Sequence, residues 1–456
     1  MQLSHTPSAL SASFDDPNLV VSAGLVPVVA LAQQVGIGRL ADHHLTVPGS
    51  AGANAGAKVM CLVAGMVAGA DSIDDLGVLR HEAMGKLFDQ VRAPSTLGTF
   101  LREFTFGHVR QLDAVASRTL IGLASQTPVL AGISEGCWID IDDTIDRVYG
   151  AAKQGASFGY TRVRGLNAQL ATISTSTAAP VIAATRLRRG AANSAKGAAR
   201  MICDTIATAR RCGATGPILV RADSAYCNTK TVAAISRAGA RFSLAIGVNP
   251  KVRAAIAAID DTAWTRIQYP WAIPDPDTGE LVSAAEVAEI EYTAFTSRPT
   301  RDQVTARLIV RRIPERNTAK LAGQDELFST WRYHAVFTDN PAPLVDAEVE
   351  HRAHAVVEQV IADLKNSALA HLPSGKFTAN AAWLVAAAIA FNLTRAYGCL
   401  AGGRFAKAET ATIRARLINI PARTASSARR ILLHLPRDWI WAQHWLNAWN
   451  HALVAA

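Results

Sequence analysis

The chain has six cysteines in 456 residues and no Cys-x-x-Cys pair among them, so it lacks the spacing of a zinc site and of a disulfide framework. Cys61, Cys137, Cys203, Cys212, Cys227 and Cys399 are scattered, a pattern that suits free thiols in a reducing compartment. Residues 1–16 hold no basic stretch followed by an apolar one, so no export leader is expected. The longest apolar runs, 57–70 and 379–393, fall short of the roughly 20 residues that span a bilayer, and buried helices are expected there instead. There is no internal repeat and no long flexible linker. Acidic residues are the scarcer charge: Lys plus Arg number 46 against 37 Asp plus Glu, a net charge of +9 that favours a polyanionic partner. These absences argue against a secreted disulfide scaffold, a zinc module and a membrane-spanning chain. They leave a cytoplasmic globular protein whose composition, half hydrophobic, allows a sizeable core.

Taken in order, residues 1–130 read as a helical N-terminal domain. Apolar residues recur at helical spacing over 26–40 and 57–68, and Asp71-Ser72-Ile73-Asp74-Asp75 has the form of a capped helix start. Ser95 or Thr96 is expected to cap a further helix whose apolar face is Leu97, Phe100, Leu101 and Phe104. Short helices with Arg92, Arg102 and Arg110 nearby suit either a helix-turn-helix DNA reader or an ordinary bundle.

From 131 to 249 the pattern changes to strands at 137–144, 157–164, 169–175 and 180–187, then a helix at 194–212, a strand at 217–224, a helix at 229–238 and a strand at 241–248. Successive strands followed by alternating helix and strand give the order of a ribonuclease-H-like α/β core. Residues 250–342 read as a β-rich insertion, with strands near 292–295, 303–311 and 330–337 and a turn at 274–279. Residues 343–400 return to helix and complete the core, and 401–456 read as a basic helical C-terminal region.

Three stretches carry chemistry. Cys137-Trp138-Ile139-Asp140-Ile141-Asp142-Asp143-Thr144 alternates as a strand and ends in crowded carboxylates, which water or a cation must compensate. Pro217–Ser224 is a second apolar strand ending in an acid, Asp223. The helix from His351 to Lys365 projects His351, His354, Glu358 and Lys365 within roughly one sixth of its circumference and packs Val356, Val357, Val360, Ile361 and Leu364 on the other side. Asp363 of that helix lies about 140° round from Glu358 and is expected to stay clear of any site. Each stretch alone also suits a solvated strand end or an amphipathic surface helix. Together, three carboxylates can hold two divalent cations beside a phosphodiester, and hard oxygen donors select Mg2+ or Mn2+.

With these residues in hand the chain resembles a DDE transposase of a bacterial insertion sequence, in the 1380 family of the branch carrying a Tyr-Arg-Glu-Lys signature. The resemblance covers nearly the whole chain. It rests on Asp140-Ile141-Asp142-Asp143-Thr144 with Val148-Tyr149-Gly150, on Arg221-Ala222-Asp223-Ser224-Ala225-Tyr226, and on Glu358-x6-Lys365-Asn366. It implies Asp142, Asp223 and Glu358 as the metal-binding triad. Asp142 is preferred over its neighbours because the family's acid lies two residues before a Ser or Thr, here Thr144. The signature's Tyr and Arg positions hold His351 and His354, and a neutral imidazole is a weaker phosphate partner than an arginine. Asp142 and Asp223 are 223 − 142 = 81 positions apart and Asp223 and Glu358 are 358 − 223 = 135 apart, the longer gap matching the strand insertion such enzymes carry.

The basic excess is clustered. Arg186, Arg188, Arg189, Lys196, Arg200, Arg210 and Arg211 stand against Asp204 alone between 186 and 211, and a second run lies between 404 and 437. Such clusters, with Lys365, His351 and His354, are candidate phosphate contacts. Trp331, with Trp264 and Trp271, is a candidate platform for an unpaired base or else core packing. The expected function is cut-and-paste transposition: binding of terminal inverted repeats, cleavage at the ends, and joining to target DNA, by a homodimer on DNA associated with the nucleoid. The rivals are a ribonuclease-H-like nuclease that only hydrolyses and a catalytically silent DNA-binding derivative.

Overall fold

The computed structural model describes residues 1–150, 152–267, 285–314, 331–428 and 430–453. Trp271, the 274–279 turn and Arg429 lie outside the described residues.

β1 (Leu19–Val20) is a short N-terminal strand that pairs far along the chain. The main sheet begins at β2 (Cys137–Arg147), where Cys137, Ile139 and Ile141 point to one face and Trp138, Asp140 and Asp142 to the other. β3 (Ser157–Phe158), β4 (Arg164–Ser174) and β5 (Val181–Arg189) follow, with β4 pairing antiparallel to β2, β3 and β5. β6 (Ile218–Ala222) lies parallel to β2 on its other side, and β7 (Arg241–Ile246) parallel to β6. Helices Ala198–Arg211 and Thr229–Arg237 make the two crossovers that parallel pairing requires.

Within the expected β-rich insertion stand β8 (Thr265–Ile267), which the sequence did not mark, β9 (Ala285–Ala294), β10 (Val304–Pro314) and β11 (Trp331–Thr338); they extend the same sheet antiparallel, β11 pairing with β7. Beside them stands a helix that periodicity did not mark, Pro250–Ala257. Its start was nonetheless written in Asn249-Pro250: the Asn249 side chain accepts from the Lys251 and Val252 backbone N–H groups, and proline takes the first helical position.

The helix Phe377–Ala401 is the centre of the all-helical layer. A mostly buried helix over 377–398 is what the sequence leads one to expect, and the helix found is 25 residues long, long and apolar enough to cross a membrane; yet 94% of its most apolar stretch is buried inside the fold. It packs against Phe106–Gln126, Ala55–Ala68, Ala442–Leu453 and β5. A helix apolar all round needs such neighbours on every side. Asn392 on it accepts from Ile182 N at 2.8 Å and donates to Ile182 O at 2.7 Å, so the open edge of β5 is closed by a side-chain amide.

Leu97, Phe100, Leu101 and Phe104 are buried as expected, but the helix Pro94–Arg102 starts on Pro94 with no side-chain cap. The capping box belongs to the next helix, where Thr105 and His108 bond reciprocally. The C-terminal region is not wholly helical: β12 (Ala422–Ser427) and β13 (Arg430–His434) form a hairpin, and β1 adds to β12 as a third strand. The first and last parts of the chain are thereby joined. One hydrophobic cluster runs from Val20 through the sheet to Ala452, so the core is continuous across residue 130. All six cysteines are free thiols.

Candidate functional site

Parallel pairing of β2 and β6 sets the site. The register matches Ile141 with Ala222, which brings Asp142 and Asp223 level, one residue on, where the two strands end their pairing. Asp142 is half-buried, while the Asp223 side chain is 66% exposed. Burial pushes the Asp142 carboxyl up to about 6, and the neighbouring Asp223 and Asp143 charges push the same way against a hydrogen bond from the Asp143 N–H and the His354 charge. Two facing carboxylates, one of them desolvated, form an all-oxygen donor pair that a hard divalent cation would neutralise. Among the described residues no three His, Cys, Asp or Glu side chains converge as a ready metal cage.

Behind this pair lies a buried network. Asp140 is fully buried and accepts from Arg221 Nε and Nη2, both at 2.7 Å, in a bidentate ion pair. Arg221, also buried, donates through Nη1 to Glu350 O at 2.6 Å and lies over the Trp138 ring at 5.4 Å. His354 Nδ1 is 3.0 Å from Asp140 Oδ1, and its Nε2 is 3.9 Å from Asp223 Oδ1. Burial opposes a charged His354, but the bond to Asp140 and the charges of Asp140, Asp223 and Asp142 outweigh it and hold its proton above the ordinary histidine range. His351 is its opposite: burial, with the His354 and Arg221 charges, pushes it down to about 4, and its Nδ1 meets Ser243 Oγ at 3.0 Å. His351 and His354, expected on an outward face touching DNA, are therefore packed inside.

The reason is a break in helix geometry. Residues 351–365 are not one helix but the end of Leu344–Arg352, a 3₁₀ turn at Ala353–Ala355, and a second helix, Val356–Lys365. His351, at the end of the first helix, meets Ser243 of β7, and His354, inside the tighter turn, meets Asp140 of β2. Glu358, in the first turn of Val356–Lys365, is exposed. It follows His354 by four residues, one helical turn or about 6 Å along the axis. Lys365 is half-buried and donates to Ile145 O at 3.0 Å, so the lysine expected on DNA ties this helix to the end of β2. Asp363 is buried and accepts from Thr410 N at 2.9 Å and from the Thr410 hydroxyl, which makes it a clamp on the C-terminal region.

Asp146 sits beside Lys365, buried and with Oδ2 lacking a hydrogen-bond partner. Burial pushes its carboxyl up to about 6 against the Lys365, Lys153 and His371 charges. A folded value above the ordinary 3.8 means that ionisation weakens the fold above pH 6 and that the penalty fades as pH falls toward 4. Asp146→Asn is expected to stabilise the protein at pH 7.5 by on the order of 2 kcal/mol, with the gain shrinking toward zero near pH 4. Urea midpoints of both proteins at the two pH values measure this; an equal gain at both would exclude carboxylate burial as the cause.

The remaining expected DNA contacts divide. Arg188 is buried, pairs with Asp143, and donates to Asn167 Oδ1, Ser194 O and Lys196 O, holding the loop after β5. Asp143 also accepts from Ser194 Oγ at 3.1 Å, which accounts structurally for the third acid of the cluster. Arg189 is exposed and Arg186 half-buried. Trp331 is half-buried with Arg312 4.5 Å from its ring; the same guanidinium lies 4.0 Å from Trp264 and bonds Glu286, so these rings already hold a cation. In the tail, Arg404 and Arg416 lie over the Trp441 ring.

Arg221, Asp140 and Arg188 were not assigned these roles from sequence. The available signal was a charged residue inside an otherwise apolar strand: Arg221 in Ile218–Ala222 has to find a buried partner.

The family described as transposase DDE domain group 1 matches residues 4–453 of the chain. No curated protein matches it.

Proposed function

The chain belongs to the transposase DDE domain family, and from that premise we propose that it is a cut-and-paste transposase of an insertion sequence, of the 1380 type with the Tyr-Arg-Glu-Lys signature. In this reading it binds the terminal inverted repeats of its element, hydrolyses the strands at the ends and joins the 3′-ends to target DNA. The observation that carries the reading is that Asp142, midway along β2, and Asp223, just past β6, stand level where the parallel pairing of the two strands stops, with the Asp142 carboxyl raised by burial and by Asp223.

The sheet supports it. The order β5–β4–β2–β6–β7, an antiparallel meander followed by two parallel strands, is the arrangement expected of a ribonuclease-H-like core, with β8–β11 as its extension. Asp142, Asp223 and Glu358 are the proposed ligands for two Mg2+ or Mn2+ ions. When bound, the ions supply Lewis-acid activation of the attacking hydroxyl or water and charge stabilisation of the leaving oxygen.

The chain's own residues do the rest. The Arg221–Asp140–His354 network holds the His354 ring with its Nε2 3.9 Å from Asp223 Oδ1, a charge placed beside the acid rather than a hydrogen bond to it. Protonated His354 lowers the repulsion between Asp142 and Asp223 without occupying their solvent side. Glu358 and Asp223, both exposed, border the side from which DNA approaches. Each step is an in-line displacement that needs no covalent enzyme intermediate. Pairing of two ends implies a homodimer on DNA, and the natural location is the cytoplasm, at the nucleoid. Domain boundaries near 130, 249, 342 and 400 remain the proposed functional divisions, although the core crosses the first.

The test is a plasmid assay with end-bearing DNA and Mg2+ or Mn2+. Joined products are expected, and excess chelator should abolish them. Cleaved ends that never join would favour the second reading, a hydrolytic nuclease. Neither cleavage nor joining with authentic ends would overturn both.

A further inference from the structure

A cavity of 320 Å³ lies between the helix Phe106–Gln126, β5 and the helix Ala198–Arg211. Arg110, Arg118, Arg186, Arg200 and Arg211 line it, against two carboxylates, Asp113 and Asp204. The balance is 5 − 2 = +3 in one hollow. Both acids are already engaged, Asp113 with Arg110 and Asp204 with Arg200. Arg211 reaches Ser117 Oγ at 3.1 Å. Arg186 Nε and Arg110 Nε are buried without a hydrogen-bond partner.

Guanidiniums crowded at a partly desolvated site repel one another. Burial pushes Arg110 down to about 10, with Arg186 and Arg200 adding to the effect, although Asp204 opposes it. Arginines keep such a site only where something offsets the charge, and an anion with several acceptor oxygens offsets both the charge and the unfilled donors. The mouth is open, since Arg118, Arg200 and Arg211 are exposed.

The position relative to the acids follows from the register. Asp143 pairs with Gln169, and Gln169 with Arg186, so Arg186 stands two strands from Asp143, about 10 Å away. The Arg188 side chain meets the Asp143 side chain, and Arg186, two residues earlier, shares its face. Asp142 alternates with Asp143 and faces the other side of the sheet. An anion in this cavity is therefore not the one cut at Asp142 and Asp223.

We propose that this cavity is a phosphate-binding site that seats a backbone phosphate of DNA away from the cleaved bond, at the seam between the N-terminal helices and the sheet. The choice of DNA over a free phosphate rests on the transposase reading. The anion site itself does not.

Full-length protein is heated with inorganic pyrophosphate and, separately, with chloride at matched ionic strength. Pyrophosphate is expected to raise the unfolding temperature of the wild type by several degrees. Arg186→Gln and Arg200→Gln should lose that rise, while Arg237→Gln, an exposed arginine on another helix, should keep it. Arg200 is itself largely exposed, so its variant tests the site even if Arg186→Gln folds poorly.

In a second arm, duplex DNA binding is followed by anisotropy from low to physiological salt. The double variant is expected to bind about 10-fold more weakly and to lose about two from the salt slope. No pyrophosphate protection, with unchanged DNA binding, overturns the proposal. Protection without any change in DNA binding overturns the assignment to DNA and leaves a free-phosphate site. If no variant and no wild type binds DNA, the transposase reading fails, and the pyrophosphate arm still decides whether the cavity is an anion site.

Discussion

Glu358→Gln is expected to leave folding and DNA binding unchanged and to lower end cleavage at least about 100-fold. Glu358 is exposed and has no structural partner among the described residues, so removing its charge should shift stability by under about 0.5 kcal/mol. It nevertheless follows by one helical turn His354, whose Nε2 lies 3.9 Å from Asp223 Oδ1. The proposed site has two carboxylates in place and takes its third from this helix. Gln keeps the shape and hydrogen-bonding reach of Glu but gives a cation one charge fewer, and both the positioning of the displacement and its charge stabilisation depend on that charge. The control is Gln359→Ala, an exposed neighbour pointing away. Asp363, which helical geometry alone offered as an innocuous control, is unsuitable because it clamps Thr410. Cleavage rates are compared at matched DNA occupancy in Mg2+ and in Mn2+. Equal rates for wild type and Glu358→Gln would sink the third ligand while leaving Asp142 and Asp223 untouched.

The acids were legible because their signal is local. Carboxylates beside apolar strand residues are written in adjacent positions: Asp223 does follow the end of β6, whereas β2 runs on to Arg147 and leaves Asp142 in mid-strand, where only its pairing with β6 stops. The succession of strands and crossovers was legible for the same reason, since period two and period 3.6 are local patterns. What pairs with what was not. Arg221 meets Asp140 across 81 positions and His354 meets it across 214, and no local pattern encodes either contact. Charge counting placed Arg188, and helical periodicity with the signature positions placed His351 and His354, on a DNA surface, but neither distinguishes a solvated group from one folded inward onto a carboxylate. The division of 351–365 by a 3₁₀ turn was equally hidden, because Ala353 and Ala355 sit well in either winding. Of the insertion strands, β10 and β11 were marked in sequence, β9 only at its C-terminal end and β8 not at all. Their alternation shows a strand and not which sheet it joins.

Breaking the Arg221–Asp140 pair should be the costliest single change to the fold. Arg221→Met is expected to destabilise the protein by about 3–5 kcal/mol, because it leaves the fully buried Asp140 carboxylate with His354 as its remaining charged partner. Arg221 also loses its bond to Glu350 O, which frees the end of Leu344–Arg352 just before the 3₁₀ turn that aims His354. The double variant Arg221→Met with Asp140→Leu removes both buried charges, and apolar replacement of a buried pair is often neutral or stabilising, so most of the lost stability should return. Cleavage should not return with it. His354 would have no Asp140 to orient its ring, and the charge now 3.9 Å from Asp223 would no longer be set there. Urea midpoints read the fold, and end cleavage at matched DNA occupancy reads the site. Stability restored while cleavage stays at least about 10-fold down assigns the network a positioning role, in line with the loss seen when groups orienting a ligand are removed. A double variant that regains both stability and cleavage would reduce the network to packing alone, and a cost below about 1 kcal/mol for Arg221→Met would mean that the pair contributes no more than an exposed one.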